Sequence, residues 1–357
     1  MRIRLIGQRN NLGIGTHYAK FADALRRRGL VGDLVDEIDF TNSEAIEQAI
    51  QTSQPDDVNI SFVGANIHEF FKGTNIQWVV FETTVVAENI LKNLMGADQI
   101  WVPSTWGKKI LLEQGIPKEK LVVVQEGVDP DQYYPPVTVK TPGQPFRFLF
   151  VGKYEQRKSL NELFDAWALA FGQNTTVELI IKTNYFIDDP DRIAVMERRV
   201  AELNLPNLTV IWGEYSSKQM VELYRSADVF VFPSKAEGWG LPIIEAAAMG
   251  LPVITTYYSA PCDFLEPIKS SCVFVDYDLG PVMCPDYQKY YPSSTGNYGL
   301  WAMPLVENLA GCLQVAKAQH VKLAEEALKN SKIIRKDWNW TRSVDQALIA
   351  IGSKASF

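Results

Sequence analysis

Short apolar runs alternate with longer amphipathic segments along almost the whole chain. Clear apolar runs lie at 3–6, 78–81 and 229–232, and clear amphipathic segments lie at 16–28 and 241–249. Most of the apolar runs lack a polar residue at every second position, which is typical of strands that are buried on both faces. Strands that alternate with helices at this spacing predict α/β domains, each with a parallel sheet covered by helices.

The alternation restarts once, after a proline-rich segment without periodicity at 135–145. Such a segment is typical of a linker between domains. We therefore predict two Rossmann-like domains, one at 1–140 and one at 144–335. The stretch 287–298 is rich in tyrosine, proline, serine and glycine and departs from the pattern. It is predicted to be an ordered excursion.

Length and composition are consistent with two ordinary globular domains. The chain has 357 residues, which is more than one compact core usually holds. Hydrophobic residues make up 46% and charged residues 22%, a balance that excludes disordered and fibrous proteins. The net charge is −7 and both halves are mildly acidic, so we expect no nucleic-acid partner. The four cysteines lack metal-binding spacing and are expected to be thiols of a reducing compartment.

We expect a cytoplasmic protein without a transmembrane segment. The first residues run directly into a predicted strand, with no apolar core of a signal peptide. The longest uncharged stretch in the middle of the chain, 246–262, is interrupted by Gly250, Pro252 and Pro261. Three arginines at 26–28 end the first long helix, where the helix dipole alone explains them. These arginines do not require a membrane partner, but a weak peripheral contact with a membrane stays open as an alternative.

The most informative loop lies between an apolar run and a predicted helix, where α/β sheets bind their ligands. It contains Glu237, Gly238 and Gly240, and the helix is predicted to begin near Leu241. Glycines let the backbone approach a ligand closely, and the free N–H groups of a helix start favour an anion. Carboxylates in such a place suit sugar hydroxyls, which donate hydrogen bonds to them. The alternative is that Glu237 and Glu245 only favour the helix dipole.

Glu237 and Glu245 have the spacing of the E-x7-E motif, and the surrounding sequence resembles the retaining glycosyltransferase family 4. Other segments similar to that family are 97–104 (ADQIWVPS), 127–129 (GVD), 149–153 (LFVGK), 225–234 (RSADVFVFPS) and 249–254 (MGLPVI). The resemblance implies the GT-B fold, in which two Rossmann-like domains face each other across a cleft. It also implies a last helix, at 341–357, that crosses back to the first domain.

The resemblance implies a retaining, metal-independent transfer of a hexose-type sugar from a nucleoside-diphosphate sugar to a hydroxyl acceptor. The first domain would bind the acceptor and the second domain the donor. The implied catalytic residues are Glu237 at the donor sugar and Lys153 and Lys158 at the diphosphate. The implied donor-binding residues are Glu245 at the ribose, Arg157, Gly15, and the backbone of Gly238, Trp239, Gly240 and Leu241.

The first domain contributes a glycine loop, with Gly13 and Gly15, between its first strand and first helix. In the family such a loop brings backbone amides against the phosphate and the acceptor. The candidates for acceptor or cleft contact are Gly13, His17, His68, Glu82 and Thr84. For His17, an exposed position on the helix surface is the favoured alternative, and for Gly13 a purely structural turn is equally compatible with the sequence.

No metal and no cofactor are expected, and the acceptor is a glycan, a lipid or a small molecule. The three histidines do not cluster, and Asp276-Tyr277-Asp278 spells a D-x-D that precedes an irregular stretch, not a nucleotide site. Two other activities stay open. One is a nucleotide-sugar epimerase with the GT-B fold, and the other is an NAD-binding Rossmann oxidoreductase, suggested by the first glycine loop alone.

Overall fold

A computed structural model describes residues 2–10, 13–30, 34–62, 70–136, 145–184, 190–290, 293 and 295–352. The chain divides into two compact units. Unit 1 comprises Met1–Gly127, Pro281–Leu300 and Trp338–Phe357, and unit 2 comprises Val128–Gly280 and Trp301–Asp337.

Strands and helices alternate in both units. The strands are β1 (Ile3–Gly7), β2 (Val35–Asp39), β3 (Val58–Ser61), β4 (Thr74–Trp78), β5 (Gln99–Val102), β6 (Leu121–Val123), β7 (Phe146–Val151), β8 (Val177–Lys182), β9 (Leu208–Ile211), β10 (Val229–Phe232), β11 (Val253–Thr256), β12 (Cys272–Val275), β13 (Tyr277–Pro281) and β14 (Leu300–Pro304). The helices are α1 (Gly13–Arg27), α2 (Ser43–Thr52), α3 (Glu88–Gly96), α4 (Thr105–Glu113), α5 (Leu160–Ala170), α6 (Pro190–Leu203), α7 (Ser217–Ser226), α8 (Leu241–Ala248), α9 (Cys262–Leu265), α10 (Pro285–Tyr290), α11 (Val306–Ala318), α12 (His320–Asp337) and α13 (Trp340–Ala350).

The sheet of unit 1 is parallel and has the order β2-β1-β3-β4-β5-β6. All five residues of β1 are buried, as the apolar run predicted for a strand covered on both faces. The last helix, α13, belongs to this unit and packs against α1. An ion pair between Arg28 and Asp345 and a hydrogen bond from Gln346 to Gln125 hold it there.

The sheet of unit 2 is also parallel, with the order β12-β11-β10-β7-β8-β9. Strands β8 and β9 follow one another on one side of β7. The chain then crosses to the other side of β7, where β10 pairs with it. This is the strand order typical of dinucleotide-binding Rossmann sheets, and its reversal point lies between β7 and β10. The prediction of parallel-sheet α/β domains is confirmed for both units.

The ends of α8 follow the sequence signals. Gly240 precedes the helix with φ 96°, a value that favours glycine, and Pro242 lies in the first turn. At the other end Gly250 has φ 75°. The N–H groups of Gly250 and Leu251 donate to the carbonyls of Ala247 and Ala246, which is a Schellman motif.

Two predicted boundaries in unit 1 are wrong. The strand expected at 78–81 is β4, Thr74–Trp78, because Asn75 and Gln77 are buried polar residues that interrupt its apolar pattern. Helix α1 begins at Gly13 and not at Thr16, so Gly13 and Gly15 lie in its first turn. The irregular segment predicted at 287–298 overlaps the end of α10. It contacts the loop after β4 inside unit 1. In these contacts Tyr298 accepts a hydrogen bond from the N–H of Val85.

In the part of the chain that the structure describes, each helix is too short or too polar to cross a membrane.

Candidate active site

The carboxyl ends of β7 and β10 meet at the reversal point of the sheet in unit 2. The two strands are neighbours, with Phe148 opposite Val229. The loop after β7 carries the predicted cationic residues, and the loop after β10 carries Glu237. Although these loops are far apart in sequence, parallel pairing of their strands places them side by side, where open α/β sheets bind ligands.

Glu237 is the centre of a buried ion cluster. Its carboxylate accepts hydrogen bonds from Lys158 Nζ at 2.7 and 2.9 Å and forms an ion pair with Arg157 at 2.7 Å. The hydroxyl of Ser234 donates to the same carboxylate, and the N–H of Glu237 donates to Ser259 Oγ at 2.8 Å. The structure therefore brings together three of the predicted residues, Glu237, Lys158 and Arg157.

The two cations decide the charge of Glu237. Burial by itself would raise the pKa of this carboxyl, but the charges of Arg157 and Lys158 and the hydrogen bonds from Lys158 and Ser234 outweigh burial and lower the pKa to about 2. Glu237 is therefore ionised at neutral pH. An ionised carboxylate accepts hydrogen bonds and does not donate a proton, which suits contact with sugar hydroxyls.

The cationic loop is itself held by unit 2. Lys158 is only 8% exposed, and its ammonium lies 5.0 Å from the centre of the Phe232 ring. Arg157 donates to the carbonyl of Ala236 at 2.7 Å. Lys153 lies in the same loop and pairs with Glu155 at 3.9 Å, and Glu155 in turn pairs with Arg157 at 3.4 Å.

Ser159 marks the start of α5 with a strained backbone. Its φ of 55° is in the left-handed region, which is costly for a residue other than glycine. Its hydroxyl is buried, and within the described ranges it has no hydrogen-bond partner. Strained residues of this kind cluster at ligand-binding loops. Ser159 could not be predicted from the sequence, because its backbone conformation depends on the turn that positions Lys158.

Glu245 projects from α8 and is held by two tyrosines. Tyr224 donates to Glu245 Oε2 at 2.9 Å, and Tyr133 also hydrogen-bonds this carboxylate. Sequence reasoning missed both tyrosines, since they lie in segments that join Glu245 only after folding.

The backbone between Glu237 and α8 makes a tight turn. A Cβ on Gly240 would lie 3.1 Å from Pro261 and 3.2 Å from Ile243, and φ is positive there, so glycine is required. The Trp239 ring packs on Phe264 with centroids 5.2 Å apart and is a core side chain. Gly238 and Leu241 complete the turn, and Leu241 begins the helix. Any donor contact of this segment therefore comes from its backbone.

The sequence predicted a loop that contains Gly13 and Gly15, but these two glycines of unit 1 do not form a loop. Both lie in the first turn of α1, where Gly13 is exposed. Gly15 is buried, and a Cβ there would collide with the side chain of Asn10. Gly15 therefore has a packing role in addition to any ligand contact, whereas no described residue lies within 4 Å of a Cβ at Gly13.

His17 is in the core of unit 1, so its expected surface position is wrong. It is 1% exposed and packs edge-on against Phe62 and Trp78, with Trp340 of α13 5.7 Å away. Burial lowers the pKa of the imidazole to about 3. The helix α1 turns this face toward the sheet, and a neutral histidine is accommodated there as an aromatic side chain.

Glu126 lies beside His17 and was missed by sequence reasoning. Its Oε1 is 3.6 Å from His17 Nδ1. Burial, followed by the charge of Glu82, raises the pKa of Glu126 to about 8, so this carboxyl is largely protonated at neutral pH.

Glu82 and Thr84 lie in the loop after β4 and both contact the segment 281–300. Tyr287 donates its hydroxyl to Glu82 at 2.7 Å, and the N–H of Leu300 donates to Thr84 Oγ1 at 2.8 Å. His68, the remaining candidate in the first domain, lies outside the described residues.

Asp276 and Asp278 flank the start of β13 and are exposed, and Asp276 accepts a hydrogen bond from Asn308 at 2.7 Å. Among the described residues, no group of three or more histidine, cysteine or acidic side chains could hold a metal ion.

Sequence comparison finds a matching family and several relatives, each over part of the chain. Residues 137–278 match the family model of the group 1 glycosyl transferases. WcaL of Escherichia coli K12, a provisionally named colanic acid biosynthesis glycosyltransferase, is 27% identical over 178 residues, which are 47% of this chain and 41% of WcaL. The amylovoran biosynthesis glycosyltransferase AmsK of Erwinia amylovora is 26% identical over 167 residues, which are 45% of this chain and 39% of AmsK. The chain is thus matched to less than half of the length of each relative.

Solved structures match the whole chain. HepE of Anabaena, in complex with UDP, aligns with a TM-score of 0.73 at 14% identity, covering 99% of this chain and 100% of HepE. The sucrose-phosphate synthase of Thermosynechococcus elongatus aligns with a TM-score of 0.72 at 17% identity, and each chain is covered completely, at 100%. The predicted GT-B fold is confirmed.

Proposed function

We propose that this protein is a retaining, family 4-like glycosyltransferase. It transfers a hexose-type sugar from a nucleoside-diphosphate sugar to a hydroxyl acceptor and needs no metal ion. The observation that carries the proposal is the ionised Glu237, held by Lys158 and Arg157 at the reversal point of the sheet in unit 2. This site offers cations to a diphosphate and a carboxylate to sugar hydroxyls.

The relatives support the same chemistry. The relatives WcaL and AmsK carry glycosyltransferase names, and HepE was solved in complex with UDP and with UDP-glucose. A nucleotide sugar is therefore the donor class that we propose for this chain, with a glycan, a lipid or a small molecule as acceptor. A cytoplasmic location stays a prediction.

In the proposed reaction, the acceptor oxygen forms a bond to the anomeric carbon on the face from which the diphosphate departs. The bond between that carbon and the phosphate oxygen breaks, and the acceptor proton passes to the leaving phosphate. Lys158 and Arg157 neutralise the negative charge that grows on the diphosphate, where fixed cations lower the barrier most. Glu237 orients the donor sugar through its hydroxyls, and Lys153 joins the diphosphate contacts from the same loop.

We assign the remaining contacts with the substrates to residues of both units. Glu245 holds the ribose, and the backbone from Gly238 to Leu241 contacts the sugar or the phosphates. In unit 1, we propose Gly13, Gly15, Glu82 and Thr84 as contacts of the acceptor or of the phosphates. His17 is excluded from direct contact, because it is buried among aromatic rings.

A thermal-shift screen with UDP-glucose, GDP-mannose and ADP-glucose tests the proposal. A ligand at 100 times its Kd stabilises the folded protein by about 2.7 kcal/mol. We expect a clear shift with at least one of these donors and transfer to a sugar acceptor, with proton NMR of the fresh product showing the donor's anomeric configuration retained. A shift with NAD alone, or conversion of UDP-N-acetylglucosamine without an acceptor, would instead support the oxidoreductase or the epimerase.

A further inference from the structure

Two buried tyrosines converge on the carboxylate of Glu245. Tyr224 lies on α7, is completely buried, and donates to Glu245 Oε2 at 2.9 Å. Tyr133 is buried in the segment before the linker and hydrogen-bonds the same carboxylate. The two rings meet edge to face with centroids 6.0 Å apart. All three residues belong to unit 2, so the arrangement is a property of that unit.

Both phenols are hydrogen-bond donors at this site, and for Tyr224 the contact with Glu245 at 2.9 Å is shorter than the one with the carbonyl of Pro242 at 3.4 Å. Burial and the charge of Glu245 raise the pKa of both hydroxyls, so both keep their protons. A tyrosine has a single O–H, and each of these is directed to the carboxylate from inside the protein. Glu245 itself is half-buried at the first turns of α8.

A carboxylate can accept about four hydrogen bonds, two at each oxygen. Two donors limit the rotation of this carboxylate, and the Glu245 side chain is itself partly exposed. A vicinal diol presents two hydroxyls in a fixed geometry, and a carboxylate of fixed orientation recognises such a pair better than a rotating one, because less freedom is lost on binding.

We propose that Tyr133 and Tyr224 are positioning residues that orient Glu245 toward the two hydroxyls of a ribose, and that they thereby set the preference of this site for ribonucleotides over 2′-deoxyribonucleotides. The inference rests on the proposed function, which places a nucleoside diphosphate at Glu245. To that function it adds a positioning role for the two tyrosines and a preference for ribose over 2′-deoxyribose. Both rest on contacts within unit 2.

Calorimetric titration with UDP, GDP and ADP, each beside its 2′-deoxy form, tests the inference. We expect the wild type to prefer the ribose form of its nucleotide by about tenfold or more, as one charge-assisted hydrogen bond allows. Tyr224→Phe and Tyr133→Phe should each weaken binding of the ribose form about threefold to tenfold, with binding of the deoxy form nearly unchanged. The ratio of the two affinities should therefore fall.

Two variants separate positioning from general stability. Tyr134→Phe removes the hydroxyl of the neighbouring, exposed tyrosine, which hydrogen-bonds Arg225, and should leave the ratio unchanged. In a Glu245→Gln background, Tyr224→Phe should have little further effect on the ratio, because the two residues act through one contact. A merely structural role would weaken both nucleotide forms equally in either background.

The outcomes distinguish the inference from the proposed function. A wild type that binds one nucleotide pair without preference, or Tyr→Phe variants that keep the preference, would overturn the role of the tyrosines and leave the glycosyltransferase proposal standing. A wild type that binds none of the six nucleotides would overturn the proposed function, and with it the inference.

Discussion

Two buried glutamates of this protein have opposite protonation states at neutral pH. Glu237 faces Lys158 and Arg157, which lower its pKa to about 2. Glu126 faces the neutral His17 and the negative Glu82, and burial raises its pKa to about 8. The residue type is the same, and the neighbours brought in by the fold decide the charge.

Glu126 predicts a pH dependence of stability. In the unfolded chain its pKa is 4.5, and in the folded protein it is about 8. Between these values the folded protein holds a proton that the unfolded chain releases, so stability falls as the pH rises through this range. Glu126→Gln removes this loss. One pKa unit corresponds to about 1.36 kcal/mol, so the variant should gain several kcal/mol over the wild type from pH 5 to pH 9.

Urea unfolding at pH 5, 7 and 9 measures this difference. His17 has the opposite dependence: its pKa falls from 6.5 to about 3 on folding, so it reduces stability as the pH decreases below 6.5. It is present in both proteins and cancels in the comparison. Glu119→Gln, an exposed site, is the control. A difference between Glu126→Gln and wild type that stays constant with pH would contradict the raised pKa.

The proposed roles of Lys158 and Glu245 predict different kinetic losses. Charge on the leaving phosphate grows in the transition state, so Lys158→Ala should lower kcat and kcat/KM together. Glu245 contacts the ribose equally before and during bond breaking, so Glu245→Gln should mainly raise the donor KM. A charge-assisted hydrogen bond contributes about 1.5–3 kcal/mol, so each effect should be about tenfold or more.

Steady-state kinetics of transfer, with single-turnover measurements to check that chemistry limits the rate, would test this division. Lys322→Ala, an exposed lysine of α12, is the matched control and should leave both constants unchanged. If Lys158→Ala changes only KM while Glu245→Gln abolishes kcat with the fold intact, the two assignments are reversed.

At the scale of elements, the local signals were most reliable where the backbone needs a special residue. Gly240 and Gly250 fix both ends of α8, and the structure has the helix where these residues predict it. The start of α1 was missed, since Gly13 and Gly15 resemble a loop although they lie within the helix. Glycine is a poor helix former by propensity, and close packing of Gly15 against Asn10 overrides that preference.

The contact between the segment 281–300 and the loop after β4 predicts a difference between two glycines. Gly299 and Gly296 both have positive φ, 79° and 64°. A Cβ at Gly299 would collide with Thr84 Oγ1, whereas none of the residues that the structure describes lies within 4 Å of a Cβ at Gly296. Gly299→Ala should therefore lower the thermal midpoint clearly more than Gly296→Ala, because the backbone strain of about 1 kcal/mol is shared and the collision is not.

Limited proteolysis of both variants would show where the damage lies. Cleavage near residues 82–85 should increase in Gly299→Ala and not in Gly296→Ala. Equal thermal midpoints and equal cleavage would mean that this segment does not support the loop that carries Glu82 and Thr84.

At the scale of the molecule, the GT-B assignment covers nearly the whole chain, whereas the sequence match to WcaL covers 47% of it. The segment that matches the family model, 137–278, lies in unit 2, where Lys158 and Glu237 are brought together. The residues of unit 1 that we propose for the acceptor lie outside the matched family segment. The proposed donor residues Lys158 and Glu237 thus lie inside the segment that matches the family model, and the proposed acceptor residues lie outside it.

Metal independence is a prediction for the whole reaction. In the proposed site, Lys158 and Arg157 would supply the positive charge that a diphosphate needs, a role that a divalent ion has in other phosphate sites. Excess EDTA should therefore leave the rate of sugar transfer nearly unchanged. Loss of activity that Mn²⁺ or Mg²⁺ restores would show that the cations of unit 2 are not sufficient, and would overturn their assignment.

The sequence by itself determined the α/β class, the parallel sheets and the two ends of α8, and it predicted Glu237 and Lys158 as two separate candidate residues. These depend on local patterns: apolar runs, turn residues, and loops that follow strands. Only the tertiary structure decided that His17 is buried, that Glu126 keeps its proton, and that Tyr133 and Tyr224 hold Glu245. The reason is physical, because protonation and side-chain orientation depend on neighbours from distant segments, which parallel strands and crossing helices bring together only when the chain folds.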